Sequence, residues 1–269
     1  MFRHIKNTMV LPELITKVQS GLAQLYIRIG NEVHSVGTGF LVKGGLVTNS
    51  HVIRPGVTFD ALLVRLEGMS ISRIENFIQI LSNDLSDHIV AAEATEKGKD
   101  FAYLRLNDKQ FESRHIFELS TASEILVGEQ ILFMGYPFGM NHLTAHTGYI
   151  SSKHVHGDIQ IMQIDGSVNG GNSGGPLLDL RNGFVVGIVT RAVTGIIESQ
   201  FDALLVALKN NQKALEGAKG RAFLSGIDPL DAVRASMAAM EKIAIDLRRS
   251  ANVGIGYAYS AEYVAEFVK

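Results

Sequence analysis

A chain of 269 residues, 46% hydrophobic and 19% charged, has ample material for a buried core, which excludes disorder. The formal net charge is -2, with no run of Lys or Arg, so a nucleic-acid partner is not expected: phosphate binding needs a concentrated basic face. Cysteine is absent, which excludes a disulfide framework, a thiolate zinc site and a cysteine nucleophile.

In chain order, the first segment is polar at Glu13 and Lys17 and carries Pro12, so neither a signal-peptide core nor a membrane span is legible there. Cytoplasm is the default expectation. Leu11, Leu14, Ile15, Val18 and Leu22 fall at helical spacing and predict one short helix running into an extended segment. From about 24 to 195 the texture changes to short β-branched or aromatic runs separated by Gly, Asn and Asp. These include Gln24–Ile29, Gly39–Val42, Leu62–Leu66, Phe101–Leu106, Gln130–Met134, Ile159–Ile164 and Val185–Thr190. Many short strands of this kind predict a sandwich or barrel. Roughly 196 to 250 is helical in pattern. Ile197, Phe201, Leu204, Leu205 and Leu208 recur before Gly217, then Asp228-Pro229 opens a second run through Val233, Met237, Met240 and Ile243. Val253–Tyr259 returns to strand texture, and Ala261–Val268 predicts a short closing helix.

The chemistry concentrates in Asp165-Gly-Ser-Val-Asn-Gly-Gly-Asn-Ser173-Gly-Gly-Pro176. Acyl transfer to a hydroxyl needs a serine that a carbonyl can approach closely, with backbone N–H groups converging on the developing oxyanion. Glycines allow both, and Gly171 and Ser173 are the natural donors. A serine also needs a base. Of nine histidines, His51 ends a strand–glycine-turn–strand segment that begins at Gly37. His34, His88 and His115 lack such a context and are expected to be solvated. The pairs His142/His146 and His154/His156 have ligand-like spacing without a carboxylate or Cys companion, so neither a metal nor another cofactor is expected. The group that orients the base is sought among Asp84, Asp87, Asp100 and Asp108; only Asp100 leads directly into an alternating strand.

Gly171-Asn-Ser-Gly-Gly-Pro176 resembles the nucleophile signature of trypsin-like serine proteases, and the Asp165…Asn169-x-Gly-Asn-Ser173 form is similar to the HtrA (Deg) branch. Gly37-Thr-Gly-Phe40…Thr48-Asn-Ser-His51-Val and Asp100-Phe-Ala-Tyr-Leu-Arg-Leu106 resemble that family's histidine and aspartate segments. Gly135-Tyr-Pro-Phe-Gly139, Gly148-Tyr-Ile-Ser151 and Gly254-Ile-Gly-Tyr-Ala258 extend the likeness. The order His51, Asp100, Ser173 is the trypsin-like order.

The resemblance implies a mainly β fold of two six-stranded antiparallel barrels with a helical hairpin insertion. The expected division is an N-terminal helical segment 1–23, a first barrel 24–118, a second barrel 119–195 with 252–269, and the insertion 196–251. It implies a serine endopeptidase acting on protein or peptide substrates through an acyl-enzyme. Substrate would pair along Thr190, Arg191 and Ala192, with Ser167 at the base of a pocket suited to a small or medium apolar side chain. Two departures stand out: no PDZ domain follows within the sequence, and Gly170 replaces a common Pro, implying a flexible oxyanion loop. The helices are a candidate surface for a regulatory partner or a second copy. A catalytically silent peptide-binding scaffold is the alternative.

Overall fold

The computed structural model describes residues 10–94, 99–190, 195–216, 229–250 and 254–268. They form two compact units, Met1–Arg191 with Gly254–Lys269, and Ala192–Val253.

In the larger unit, helix α1 (Leu11–Val18) carries Pro12 in its first turn, where the missing N–H is not needed. Strands β1 (Leu22–Ile29), β2 (Glu32–Val42) and β3 (Gly45–Thr48) follow, then the single turn α2 (Ser50–Ile53) and β4 (Ala61–Leu66). Next come β5 (Ile78–Leu81), the turn α3 (Leu85–His88), β6 (Ile89–Glu93) and β7 (Phe101–Arg105). All pair in one antiparallel sheet of order β5-β4-β1-β2-β3-β7-β6.

Here the structure refines the expected first barrel. Its two sheet ends, β5 and β6, are consecutive in sequence and separated by α3. What would be one closing sixth strand is broken in two by that helical turn, so one half pairs with β4 and the other with β7. The second barrel closes fully. Strands β8 (Gln130–Gly135), β9 (Thr144–His156), β10 (Ile159–Asp165), β11 (Pro176–Asp179), β12 (Val185–Thr190) and β13 (Ile255–Ser260) run in order β10-β13-β12-β11-β8-β9. The short helix α6 (Glu262–Ala265) ends the unit.

Strand periodicity explains why these runs are apolar throughout rather than alternating. On β2, Leu41 points into the core of the first sheet, while Phe40 and Val42 join a second cluster. On β7, Ala102 and Leu104 face one way and Phe101 and Tyr103 the other. On β8, Ile131 and Phe133 fill the second barrel, while Leu132 and Met134 turn outward. The outward sets meet as a seam core, joined by Leu14 and Val18 of α1 and Val264 of α6. Each fully buried Leu or Phe contributes about 1.5–3 kcal/mol. The seam therefore locks the two β units face to face.

The smaller unit contains helices α4 (Gly195–Glu216) and α5 (Pro229–Ser250). Pro229 occupies the first turn of α5, as its sequence position predicts. Gln212 Nε2 donates to Glu241 Oε2 at 3.0 Å between the two helices.

Candidate active site

The β2–β3 hairpin delivers His51 on the single turn α2, immediately after β3. Asp100 immediately precedes β7, which pairs with β3. Because these strands are neighbours, residues 49 apart in sequence meet: His51 Nδ1 and Asp100 Oδ2 are 2.7 Å apart. The His51 backbone N–H donates to Asp100 Oδ1 at 3.1 Å, so the carboxylate holds both ring and chain. Asp100 is 1% exposed, whereas the His51 ring is 43% exposed. A buried acceptor fixes one ring nitrogen and leaves the other available.

Asp100 adopts φ +36°, a left-handed conformation that costs a non-glycine residue about 1–3 kcal/mol. Asn49 Nδ2 compensates by donating to the Asp100 carbonyl at 2.7 Å. Thr190 Oγ1 donates to Asp100 Oδ2 at 3.4 Å. Burial raises the Tyr259 phenol above its usual range, and the charge of Asp100 adds to it. Asp84 and Asp87, rivals in sequence, are exposed; the Asp108 side chain lies outside the described residues.

Ser173 lies on the loop between β10 and β11 and is 3% exposed. Its carbonyl accepts from the Thr38 N–H at 2.9 Å, tying it to β2. Gly174, at φ +85°, lies so close to the hairpin that a Cβ there would stand 2.2 Å from Thr48 Oγ1. Gly171, at φ +100°, is equally constrained, with the Tyr136 carbonyl 2.1 Å from where a Cβ would be. The loop is pressed against the strand end that leads to His51, yet the Ser173 hydroxyl makes no hydrogen bond to the His51 ring among the described residues.

The loop's amides divide cleanly. Those of Asn172, Gly174 and Gly175 donate to the carbonyls of Asn169, Val189 and Asn172 at 3.0, 2.8 and 3.0 Å. Those of Gly171 and Ser173 have no acceptor among the described residues. Gly170, the position of the missing Pro, is tied by a hydrogen bond to the segment that follows β8. Its carbonyl accepts from the Phe138 N–H at 2.6 Å, and Phe138 is itself held at φ +56°.

The chain matches the model of the trypsin-like peptidase domain over residues 37–188, more than half its length and a span containing His51, Asp100 and Ser173. The chain belongs to the trypsin-like peptidase family. Among curated proteins it is similar to a probable periplasmic serine endoprotease, DegP-like, of Ectopseudomonas mendocina, 31% identical over 169 residues, covering 61% of this chain and 31% of that one. A like-named protein of Chlamydia trachomatis is 27% identical over 220 residues, covering 77% and 39%. The chain thus spans about a third of the length of the curated relatives it matches.

Among solved structures, the fold resembles HtrA-type protease AlgW with decapeptide (TM-score 0.58, 17% identity, covering 97% of this chain and 66% of that one). It also resembles the active form of the Rv3671c protease from M. tuberculosis (TM-score 0.51, 21% identity, covering 71% and 79%).

Two expectations for this trypsin-like peptidase need correction, the location and the solvation of His115. The cytoplasmic default is overturned by relatives named as periplasmic; it rested only on the lack of a legible leader and of cysteine. His115 is not solvated: it is half-buried, edge-on to Phe117 with centroids 4.6 Å apart, and burial lowers its pKa. Ser167 is exposed on the loop after β10. Arg191 and Ala192 lie outside the described residues. Thr190 is buried, with its hydroxyl on Asp100. The supporting contacts of Asn49 and Thr190 were not foreseen, because neither residue type carries a signal until the fold brings β3, β7 and β12 together.

Proposed function

We propose that this trypsin-like peptidase is a serine endopeptidase in which Ser173 is the nucleophile, His51 the general base and Asp100 the group that orients and charges with it. The observation that carries the reading is the 2.7 Å contact between His51 Nδ1 and the buried Asp100 carboxylate. It selects the tautomer with the proton on Nδ1, leaving Nε2 basic. Nε2 takes the Ser173 hydroxyl proton as Oγ attacks the peptide carbonyl, and Asp100 stabilises the imidazolium. The unpaired amides of Gly171 and Ser173 donate to the oxyanion. The imidazolium then protonates the leaving amine, giving an acyl-Ser173 that water, activated by the same His51, hydrolyses.

Substrate is a protein or peptide. Its chain adds as a strand along Thr190, Arg191 and Ala192, and a pocket with Ser167 at its base takes a small or medium apolar side chain. A partner or second copy bound on α4 and α5 restrains or releases activity.

A fluorophosphonate probe tests the chemistry. Labelling of wild type and none of Ser173→Ala, His51→Ala or Asp100→Ala is expected; labelling of S173A at the wild-type rate sinks the assignment. One observation favours a silent scaffold or a resting state instead: the missing hydrogen bond between Ser173 and His51. Unlabelled wild type, with and without added peptide, would favour the scaffold.

A further inference from the structure

The oxyanion donors proposed above are backbone amides, so something other than their own side chains must aim them. Two peptide planes matter, those joining Gly170 to Gly171 and Gly171 to Asn172. The first is pinned by the Phe138 N–H on the Gly170 carbonyl at 2.6 Å. In a trans peptide the N–H points opposite the C=O, so the Gly171 N–H is turned away from Phe138. The second plane is held by a side chain from the other β unit. Thr38 Oγ1, on β2, donates to the Gly171 carbonyl at 2.6 Å.

The direction of that bond is forced. The same Oγ1 lies 3.2 Å from the Tyr136 amide nitrogen, which can only donate, so the single hydroxyl proton goes to Gly171. Thr38 itself is fixed on both sides. Its N–H donates to the Ser173 carbonyl at 2.9 Å, and its carbonyl accepts from Thr48 Oγ1 at 2.6 Å. One fully buried residue therefore touches Gly171, Ser173 and the Tyr136 backbone at once.

We propose that Thr38 is the positioning residue of the oxyanion loop: its hydroxyl bridges Gly171 to Tyr136 and keeps Gly171 at φ +100° with its amide aimed beside Ser173. The proposal rests on the reading of Ser173 as nucleophile. Without the hydroxyl, the Gly171 carbonyl and the Tyr136 amide both lose a partner. A glycine then has other conformations open to it, and in them the amide leaves the oxyanion position. The substrate strand and side-chain pocket are untouched, so binding is spared.

The test compares wild type, Thr38→Val, which keeps the shape and loses the hydroxyl, and Thr38→Ser, which keeps the hydroxyl. Steady-state hydrolysis of a quenched peptide and the rate of fluorophosphonate labelling are measured, with thermal melts as a control on the fold. T38V should lose about 10- to 100-fold in kcat and in labelling rate, as a misplaced catalytic group does, with KM changed less than about twofold. T38S should recover to within about threefold of wild type. Wild-type kcat in T38V, or equal losses in T38V and T38S, overturns the proposal. So does a loss confined to KM. Should neither T38V nor Thr38→Ala fold while T38S does, the hydroxyl is a folding determinant and the proposal falls. Absence of any reaction in wild type removes the underlying reading as well, whereas a reactive wild type matched by T38V removes this inference alone.

Discussion

Thr190 and Asp100, ninety residues apart, are joined by a hydrogen bond from Thr190 Oγ1 to Asp100 Oδ2 at 3.4 Å. The oxygen it reaches is the one that holds His51 Nδ1 at 2.7 Å. The carboxylate is thus placed by three elements: β7 through its own backbone, the β3–α2 junction through Asn49 and His51, and β12 through Thr190. The strand foreseen as a substrate edge also supports the Asp100 carboxylate.

These contacts rank two substitutions. Asp100→Asn keeps the shape but loses the charge that stabilises the imidazolium, and should lower kcat by about 10⁴-fold. Thr190→Val removes one long hydrogen bond among several and should cost only about 3- to 10-fold. Peptide hydrolysis at saturating substrate checks the order; T190V as damaging as D100N would show that Thr190 does more than support.

Arg65 is 5% exposed on β4, and its Nη2 donates to Gln24 Oε1 and to the Asn141 carbonyl, each at 2.8 Å. Its guanidinium lies 5.3 Å from the centre of the Tyr136 ring, whose hydroxyl donates to Glu67 Oε2. Arg65→Met should cost about 2–4 kcal/mol by stranding the Asn141 carbonyl, leaving Gln24 Oε1 with the Tyr26 hydroxyl as its donor, and losing the ring contact. Arg65→Lys recovers only part, since an ammonium lacks the planar fork. Urea denaturation measures both, and R65M as stable as wild type would contradict the network's importance.

Acid should weaken the fold through two histidines. His146 stacks on Phe133 with centroids 4.8 Å apart and a buried Nε2 that has no partner; burial holds its pKa below the usual value. For His115, burial is again the larger cause, the charge of Lys17 adds to it, and Glu118 opposes. A depressed folded-state pKa means that the unfolded chain binds protons first as pH falls through about 6.5. Stability is therefore present above that pH and lost below it. His146→Phe keeps the stacking and removes the titration. Its stability relative to wild type should rise as pH is lowered from about 7. A pH-independent difference would show that His146 does not contribute.

On α5, Val233, Met240 and Ile243 are 41%, 57% and 57% exposed. If these helices carry a self-association surface, the wild-type mass by light scattering should exceed the 29.3 kDa of one chain, and Met240→Glu should return it towards that value. An unchanged mass with intact hydrolysis would count against the surface.

Much of this was legible because the motifs are local. Gly174 and Gly171 flank Ser173 because the loop has no room for a Cβ, and that constraint appears in sequence as glycine. Pro229 marks the start of α5 for the same kind of reason. The break between β5 and β6 was not legible as such: Ser82-Asn83-Asp84 and Ser86-Asp87 read as an ordinary loop, and only the pairings of β4 and β7 show that it splits one strand. The half-buried state of His115 was equally hidden, for it depends on Phe117.

The sequence by itself determined which residues are chemically able to do the work, and it ordered His51, Asp100 and Ser173 along the chain. Residue type and backbone permission are local properties. Only the tertiary structure decided that the Asp100 carboxylate reaches both the ring and the backbone N–H of His51, that Thr190 lies behind it, and that Thr38 reaches Gly171. Each is a contact between elements far apart in the chain. Such contacts are set by strand register and by the seam core formed by Phe40, Phe101, Leu132 and Ile188, which no single segment encodes.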